Sequence, residues 1–396
     1  MRPLDGLRVL DLSRVLAGPY CTQYLGEMGA DVIKVEPPSG DDTRGWGPPF
    51  VGETGEAVYF LAANRNKRGI VLDLKTERGR EALRRLAAGA DVLVENFRPG
   101  TLEKWGLDYE RLAESNPRLI HVSITGFGQT GPYRDRAGYD LVAQGMGGVM
   151  GLTGEPDGPP AKVGLPVADL NAGTWAIIGV LMALQARHGT GRGQYLDVSL
   201  LDAQVAWHVY AAGAHFYDAP RPRRMGSAHP SIVPYQAYPV ADGWLNVAIG
   251  SEKLWRRFCA VLGLDIAEDP RFASNAARAA HREELNERLT AVLRTRTAHE
   301  WMADFDAAGI PAGPINTIDE VYEDAWARER EQVVRLPHPG IGTYVGTGFP
   351  VKASATPVAP TSAPPTLGQH THEVLAELGY SDQEIAELTR ECGHEF

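Results

Sequence analysis

The segment 8–36 alternates a short apolar run, a helical pattern and a second apolar run, and this alternation constrains the fold most. RVLDL (8–12) predicts a buried strand, apolar residues at helical spacing over 19–28 predict a helix, and DVIKVE (31–36) predicts a second strand. The alternation continues with predicted strands at 70–74, 91–97 and 119–127 and a predicted helix at 78–88. Strands that alternate with helices indicate a parallel sheet covered on both faces.

The character of the sequence changes after Phe216, where DAPRPRRMGS (218–227) is typical of a linker rich in Pro and Arg. A chain of 396 residues is long enough for two domains. We therefore expect an α/β protein with a Rossmann-like, parallel-sheet large domain formed by 1–220 and completed by 335–396. A smaller α+β domain is expected at 226–330.

The charge and cysteine content exclude several classes of partner. The net charge is −11 without a long basic run, so neither nucleic acid nor an anionic membrane is an expected partner. Cys21, Cys259 and Cys392 are far apart in the sequence, which predicts reduced thiols in a cytoplasmic protein and no metal site. The most apolar stretch, TWAIIGVLMAL (174–184), is shorter than the roughly 20 residues that cross a bilayer.

Two basic segments are candidates for binding an anion. NRNKRGIVLDLK (64–75) is either a solvated charged turn or a phosphate site formed by Arg65, Lys67, Arg68 and Lys75. In ENFRPGTLEKWG (95–106), Asn96, Phe97 and Arg98 follow a strand, at the edge where open α/β sheets bind ligands. A large ligand with several phosphates would fit both segments. NAD is disfavoured, because the turn SRVLAGPY (13–20) lacks two glycines of the GxGxxG pattern.

A single carboxylate, Asp169, interrupts the apolar stretch KVGLPVADLNAG (162–173) just before a helical pattern that begins at Leu170. Asp is among the best N-cap residues, so Asp169 is either a cap for this helix or a functional group. In the functional interpretation, the helix dipole keeps the carboxylate ionised, and the carboxylate attacks an acyl carbon.

Several segments together resemble the class III CoA-transferase family, also called the CaiB/BaiF type. The segments are LDGLRVLDLSRVLAGPYCTQYLGEMGADVIKVEPP (4–38), NRNKRGIVLDLK, ADVLVENFRPG (90–100), SITGFGQTGPY (123–133), RAGYDLVAQ (136–144), TGRGQYLDVSLLDA (190–203) and PPTLGQHTHEVLAELGYS (364–381). The resemblance covers nearly the whole chain. WGPPFVG (46–52) and AHPSIVPYQAY (228–238) are most similar to the succinate–hydroxymethylglutarate branch of the family.

The resemblance implies an enzyme that moves CoA from an acyl-CoA, succinyl-CoA being one candidate, to a free carboxylic acid. The catalytic residue is Asp169, which passes through a mixed anhydride and an aspartyl-CoA thioester. The acyl-CoA thioester and the acid are substrates, no cofactor is tightly bound, and the chain forms an interlocked homodimer. The implied CoA contacts are Leu16, Ala17, Leu72, Lys75, Asn96, Phe97, Arg98, Lys104, Arg136, Ala137 and Tyr139.

Departures from neighbouring branches narrow the reaction. Formyl-CoA transferases have a glutamine at the place of Leu16 and a tetraglycine loop at the place of AIGSEKLW (248–255), which argues against formyl-CoA and oxalate as substrates. Acyl-CoA racemases of the same fold have a histidine at the place of Tyr139, and a phenol is a poor base at neutral pH. A racemase and a non-catalytic CoA-binding protein remain the alternatives. Arg44 and Arg224 are candidate partners for a second substrate carboxylate, with surface roles as the alternative.

Overall fold

The computed structural model describes residues 1–53 and 55–391, with the side chain of residue 391 left out. Within that range the strands are β1 Arg8–Asp11, β2 Asp31–Glu36, β3 Phe50–Val51, β4 Glu56–Ala57, β5 Arg68–Val71, β6 Val92–Glu95, β7 Ile120–Thr125, β8 Tyr195–Ser199, β9 Tyr235–Val240, β10 Gly243–Ala248, β11 Ala312–Pro314, β12 Val333–His338 and β13 Gly342–Thr347.

The α-helices of the same range are α1 Ala17–Glu27, α2 Val58–Ala63, α3 Glu77–Ala88, α4 Thr101–Trp105, α5 Tyr109–Ser115, α6 Asp140–Met146, α7 Val149–Leu152, α8 Val167–Thr190, α9 Leu200–Val205, α10 Val209–Phe216, α11 Glu252–Leu262, α12 Asn275–Ala280, α13 Arg282–Leu293, α14 Ala298–Ala308, α15 Ile318–Glu323, α16 Ala325–Glu329, α17 Thr371–Glu377 and α18 Asp382–Glu391. A short 3₁₀ helix covers Asp42–Gly45.

A six-stranded parallel sheet in the order β5-β2-β1-β6-β7-β8 confirms the predicted α/β class. Its central strands are apolar on both faces, because Val9 and Val94 belong to one buried cluster while Leu10 and Leu93 belong to the other. Such continuous apolar runs are typical of parallel strands between two helical layers. The strand order reverses between β1 and β6, and the two halves of the sheet extend outward from this pair.

The chain divides into two compact units. The first comprises Met1–Val149, Val163–Val209 and Ala325–Phe396, and the second comprises Met150–Lys162 and Tyr210–Asp324. The second unit contains the antiparallel sheet β11-β10-β9 and a core of aromatic side chains such as Trp255 and Phe305. The domain limits expected from composition stay predictions.

Helix α8 is apolar on two sides. Ala168, Ala172 and Ala176 recur every fourth residue and are fully buried, and the helix packs against α1 on this small-residue face. A Cβ at Gly173 would lie 2.7 Å from the carbonyl oxygen of Ala17, so glycine permits the close approach of the two helices. The other face exposes the apolar side chains of Trp175, Ile178, Leu181 and Met182.

Because α8 extends over 24 residues and contains an 18-residue stretch with a mean hydropathy of 1.6, it is long and apolar enough to cross a membrane by length and composition alone. The expectation that the apolar stretch is too short was wrong, because the helix continues beyond 174–184 at both ends. Half of this helix is buried inside the protein, and the core helix of a soluble protein meets the same criterion. Length and composition therefore do not make it a membrane span.

The free cysteines of the described residues are buried. Cys21 lies in the core beside the parallel sheet, and Cys259 lies in the aromatic core of the second unit. Cys392 lies outside the described residues. The described residues contain no group of three His, Cys, Asp or Glu side chains that could hold a metal ion.

The loop after β1 is held by a buried ion pair between Lys34 and Asp41. Both side chains are fully buried, and the Lys34 Nζ lies 3.0 Å from the Asp41 Oδ2. The same Nζ donates a hydrogen bond of 2.9 Å to the carbonyl oxygen of Ser13. One ammonium therefore joins the end of β2 to the loop that follows β1.

We predict that Lys34→Met lowers the free energy of unfolding by about 3–5 kcal/mol, because it leaves the Asp41 carboxylate buried without its cation. Urea unfolding followed by circular dichroism measures this change. The matched control is Arg256→Met, which removes one partner of an exposed ion pair with Glu268 and is expected to leave the unfolding midpoint unchanged. Equal midpoints for both variants would contradict a structural role for the buried pair.

Candidate active site

An open cleft of about 220 Å³ lies at the carboxyl ends of β1, β6 and β7. β1 and β6 are the neighbours between which the strand order reverses. The loops that leave such a pair separate toward opposite faces of the sheet, which creates a crevice where open α/β sheets bind ligands. The starts of α6 and α8 complete the cleft, with Tyr139 and Asp169 in its lining.

The structure brings together nine of the twelve residues that the resemblance implies for the site. They are Leu16, Ala17, Asn96, Phe97, Arg98, Arg136, Ala137, Tyr139 and Asp169. The other three do not line the cleft: Leu72 is buried in the core, while Lys75 after β5 and Lys104 in α4 are exposed. The contacts of all these residues with CoA stay a prediction.

The loop between β1 and α1 forms one wall of the cleft and contains a strained residue. Val15 has a φ of +69°, which a β-branched residue rarely adopts and which costs about 1–3 kcal/mol. The Asn96 amide holds the preceding residue from both sides, since it accepts the Arg14 N–H at 2.8 Å and donates to the Arg14 carbonyl at 2.7 Å. Asp41 accepts the Val15 N–H at 3.3 Å. These partners fix the backbone just before Leu16.

Asp169 is the third residue of α8, and the interpretation of Asp169 as the N-cap was wrong. The helix begins at Val167, with Pro166 as the N-cap residue. The N–H of Ala168 donates instead to the Oδ1 of Asp140 at 2.8 Å, across from the start of α6. The Asp169 carboxylate is therefore not needed to cap the helix, and it lines the cleft.

The environment of Asp169 opposes its ionisation. Burial, and after it the nearby carboxylate of Asp140, raises the pKa of Asp169 to about 7 from an ordinary value of 3.8. This shift of the pKa is opposite in direction to the expectation that the helix dipole keeps the group ionised, because burial and a second negative charge both disfavour the carboxylate. Near neutral pH the carboxyl group exists in both protonation states, and its carboxylate is unusually basic.

Two side chains near Asp169, those of Tyr59 and Asp140, could not be identified as part of the site from the sequence. Burial and the carboxylates of Asp169, Asp140 and Asp41 raise the pKa of Tyr59 to about 12, so this phenol of α2 stays protonated and available as a hydrogen-bond donor. Asp140 lies within the segment RAGYDLVAQ (136–144), but the family resemblance did not suggest a role for it. No spacing rule links 59 or 140 to 169, because tertiary packing alone brings them close.

Three of the four basic side chains of the segment 64–75 have acidic partners and do not line the cleft, while Lys75 is exposed. Arg65 and Lys67 are fully buried and paired with Glu27 and Asp11. Arg68 binds acidic groups of β2 and α17. The guanidinium groups that line the cleft are instead those of Arg14, Arg98, Arg134 and Arg136. They give the cleft a positive rim suited to an anionic ligand.

Neither candidate for binding a second substrate carboxylate is free to do so. Arg44 forms two hydrogen bonds of 2.7 Å with the Glu36 carboxylate and lies over the ring of Phe60 at 3.6 Å. Arg224 donates to backbone carbonyl groups, including that of Gly158 at 2.8 Å. Both side chains therefore have structural partners in this conformation.

Comparison with known proteins identifies the family. A model of CoA-transferase family III matches residues 4–371. The succinate–glutarate CoA-transferase of Agrobacterium fabrum is 46% identical over 382 residues, which are 95% of this chain and 96% of that protein. The succinyl-CoA:glutarate CoA-transferase of Mus musculus is 41% identical over 391 residues, or 98% of this chain and 89% of that protein.

The fold agrees with this assignment. The crystal structure of a CaiB/BaiF family protein from Brucella suis superimposes with a TM-score of 0.86 at 45% identity and covers 95% of this chain and 99% of that chain. The resemblance noted in the sequence is thereby confirmed, as is the expectation that the protein is a CoA-transferase. The chain belongs to CoA-transferase family III.

Proposed function

We propose that the enzyme transfers CoA from succinyl-CoA to a second dicarboxylic acid, such as glutarate, and that Asp169 carries the group covalently. One observation carries this proposal: the Asp169 carboxylate lines a cleft at the reversal of strand order and is largely removed from water. The names of the relatives from Agrobacterium fabrum and Mus musculus support succinate and glutarate as the acids.

The first half of the reaction converts the carboxylate of Asp169 into a thioester. One oxygen of Asp169 attacks the acyl carbon of succinyl-CoA, the C–S bond breaks, and CoA leaves as a thiolate with the electron pair. The product at Asp169 is a mixed anhydride. The thiolate then attacks the aspartyl carbonyl carbon of this anhydride and expels succinate, which leaves Asp169 as a thioester of CoA.

The second half repeats these steps with the incoming acid. Its carboxylate attacks the aspartyl thioester, expels the thiolate and forms a new mixed anhydride. The thiolate attacks the carbonyl carbon of the incoming acyl group, so that the new acyl-CoA leaves and Asp169 returns as a carboxylate. Each half exchanges one carboxylate for another, and neither half requires a metal or a redox group.

Four guanidinium groups are proposed to hold the anionic parts of the substrates, because they surround the cleft. Arg98 and Arg136 are the two that the resemblance implies, while Arg14 and Arg134 are added by the geometry. Asn96 acts through the backbone of Arg14, since both ends of its amide are already bonded there. Lys75 and Lys104, outside the cleft lining, remain candidates for the distal phosphates of CoA.

We predict that the protein forms glutaryl-CoA when it is incubated with succinyl-CoA and a mixture of mono- and dicarboxylic acids, as measured by mass spectrometry. Asp169→Asn should reduce the rate at least about 1,000-fold, because an amide cannot form the anhydride. The matched control is Asp304→Asn, which removes an exposed carboxylate that pairs with Arg296, and neither of these residues lines the cleft. This variant should retain most of the activity.

The same experiment separates the alternatives. New thioesters with Asp169→Asn at the wild-type rate would refute the covalent role of Asp169. No new thioester from the wild type, combined with uptake of deuterium from solvent at the α-carbon of an acyl-CoA, would indicate a racemase. Binding of CoA without either reaction would indicate a non-catalytic CoA-binding protein.

The buried carboxyl group of Asp169 should make the free energy of unfolding depend on pH. The folded-state pKa of Asp169 is about 7, above the ordinary 3.8, so the folded protein binds an extra proton between these values and loses stability as pH rises through this window. Asparagine cannot ionise and avoids this loss. We expect Asp169→Asn to exceed the wild type in unfolding free energy by about 2–4 kcal/mol at pH 8 and to equal it at pH 4.

Urea unfolding of the two proteins at pH 4, 6 and 8 measures this difference. Asp304→Asn again serves as the control, and its stability should follow the wild type at every pH because that side chain is exposed. A difference between Asp169→Asn and the wild type that stays constant from pH 4 to pH 8 would contradict the raised pKa of Asp169.

We further propose that the protein is a cytoplasmic homodimer, interlocked as the resemblance implies, and that a second copy covers the exposed face of α8. This face borders an apolar groove of about 520 Å³ that also includes Leu196 of β8 and Ala203 of α9. An apolar patch of this kind on a water-soluble protein is typical of an interface. The groove adjoins the helix that carries Asp169.

We predict a solution mass of twice 43.0 kDa by size-exclusion chromatography with light scattering, without detergent. Ile178→Asp should shift this mass toward one chain, because it introduces a charge into the groove. The control Val351→Asp changes an exposed apolar residue that does not line the groove, and it should remain dimeric. A wild-type mass of 43.0 kDa would contradict the dimer.

A further inference from the structure

Asp140 joins the start of α6 to the start of α8 through both oxygens of its carboxylate. The Oδ1 accepts the N–H of Ala168 at 2.8 Å, and the Oδ2 accepts the Nε2 of Gln144 at 2.7 Å. Gln144 is fully buried, and its Oε1 accepts the N–H of Val163 at 3.0 Å. The segment that leads into Asp169 is therefore fixed by Asp140 and its neighbour.

Asp140 satisfies a backbone N–H group at the start of α8. The first N–H groups of a helix lack partners within the helix and attract the nearest carboxylate. Asp169 cannot form a capping box with the N-cap residue, because Pro166 has no N–H. Here Asp140 binds the Ala168 N–H, and no described residue donates a hydrogen bond that lowers the pKa of the Asp169 carboxylate.

We propose that Asp140 is a positioning residue for the nucleophile. It binds the Ala168 N–H in place of Asp169, so that the Asp169 carboxylate is left without this stabilising contact. The negative charge of Asp140 also destabilises the Asp169 carboxylate before attack. The inference rests on the proposed function, in which Asp169 attacks the thioester. Asp140 itself does not line the cleft and is not assigned a contact with the substrate.

The effect of the charge follows from the charge balance of the reaction. Before attack, Asp140 and Asp169 are two neighbouring negative groups in a site with little water. When the Asp169 oxygen bonds to the acyl carbon, its charge leaves with the CoA thiolate, and the anhydride and the thioester at Asp169 are neutral. Repulsion is therefore present in the free enzyme and relieved in the covalent intermediates, which accelerates their formation.

The same repulsion carries a cost at low pH. Asp169 attacks only as a carboxylate, and burial together with Asp140 raises the pKa of Asp169 to about 7. The other titratable or charged groups near it are Tyr59 of α2, Tyr139 before α6, and Arg14, Asp42, Arg98, Arg134 and Arg136 around the cleft. Removing the charge of Asp140 should therefore increase the reactive fraction below pH 7 and reduce the reactivity of that fraction.

The variant Asp140→Asn removes the charge, and its side-chain oxygen can still accept the Ala168 N–H, although its amide nitrogen can no longer accept the hydrogen bond of Gln144. The half-reaction is followed by quenching the enzyme after mixing with succinyl-CoA and measuring the enzyme-bound CoA by intact-protein mass spectrometry, from pH 5 to pH 9. The acid limb of the pH–rate profile is the range in which the rate of the half-reaction rises as Asp169 ionises. We expect this limb to move to lower pH by roughly one unit. We also expect the plateau rate to fall about threefold, with the KM for succinyl-CoA unchanged.

Asp108→Asn is the matched control. Asp108 is the N-cap residue of α5, where its carboxylate accepts the N–H of Arg111 at 3.2 Å, and it does not line the cleft. This variant should leave the acid limb and the plateau of the half-reaction unchanged. If Asp140→Asn does not fold, Asp140→Ser provides an uncharged hydroxyl acceptor and carries the same expectation for the acid limb.

The outcomes separate this inference from the proposed function. A wild-type enzyme that forms no CoA adduct with any acyl-CoA donor would refute the proposed function. An active wild type with an unchanged acid limb in the uncharged variant would refute the inference and leave Asp140 a helix cap only. As a readout besides activity, a ¹³C titration of the Asp169 carboxyl group should give a lower pKa in the Asp140 variant than in the wild type.

Discussion

Buried charges of alternating sign hold the carboxyl end of β1, and the shape of the cleft depends on them. Asp11 binds the ammonium of Lys67 at 2.9 Å, and Lys34 binds Asp41 at 3.0 Å, with all four side chains fully buried. Removing such charges from water costs about as much as their attraction returns. Their structural effect is on the loop after β1, which passes between these groups and could not keep Val15 in a strained conformation without firm partners.

In the proposed mechanism, Asp140 binds the start of α8 and Asp169 attacks the substrate, and one carboxylate could not do both. A carboxylate that caps a helix is stabilised by the N–H groups that it accepts, and the same stabilisation makes it a weaker nucleophile. Asp140 is bonded to Ala168 and Gln144, while Asp169 faces the cleft with a raised pKa. Hydrogen bonds therefore stabilise the Asp140 carboxylate, while burial disfavours the ionised form of the Asp169 carboxyl group.

The sequence predicts the parallel sheet, because apolar periodicity is a local signal, and motif order places Asp169 in a catalytic role that stays a prediction. It fails where the partner of a charge is distant along the chain. Arg65 is paired with Glu27, 38 positions away, and Lys67 with Asp11, 56 positions away. A segment of exposed-looking basic residues is in fact part of the core. The N-cap interpretation of Asp169 failed for the same reason, since the group that caps α8 comes from 28 positions earlier.

The apolar character of α8 is consistent with a role in fixing Asp169, the proposed nucleophile, at its first turn. To keep Asp169 fixed at the reversal of strand order, the helix must pack closely on α1, and the alanines of one face with Gly173 permit this. If only that face were apolar, α8 would be an ordinary amphipathic helix. The opposite face is apolar as well, with Trp175 and Ile178 exposed in the single chain, and a helix that is apolar all round is stable in water only when both faces are buried. The close packing of α8 on α1 and the proposed association of two chains would therefore both follow from the composition of this helix.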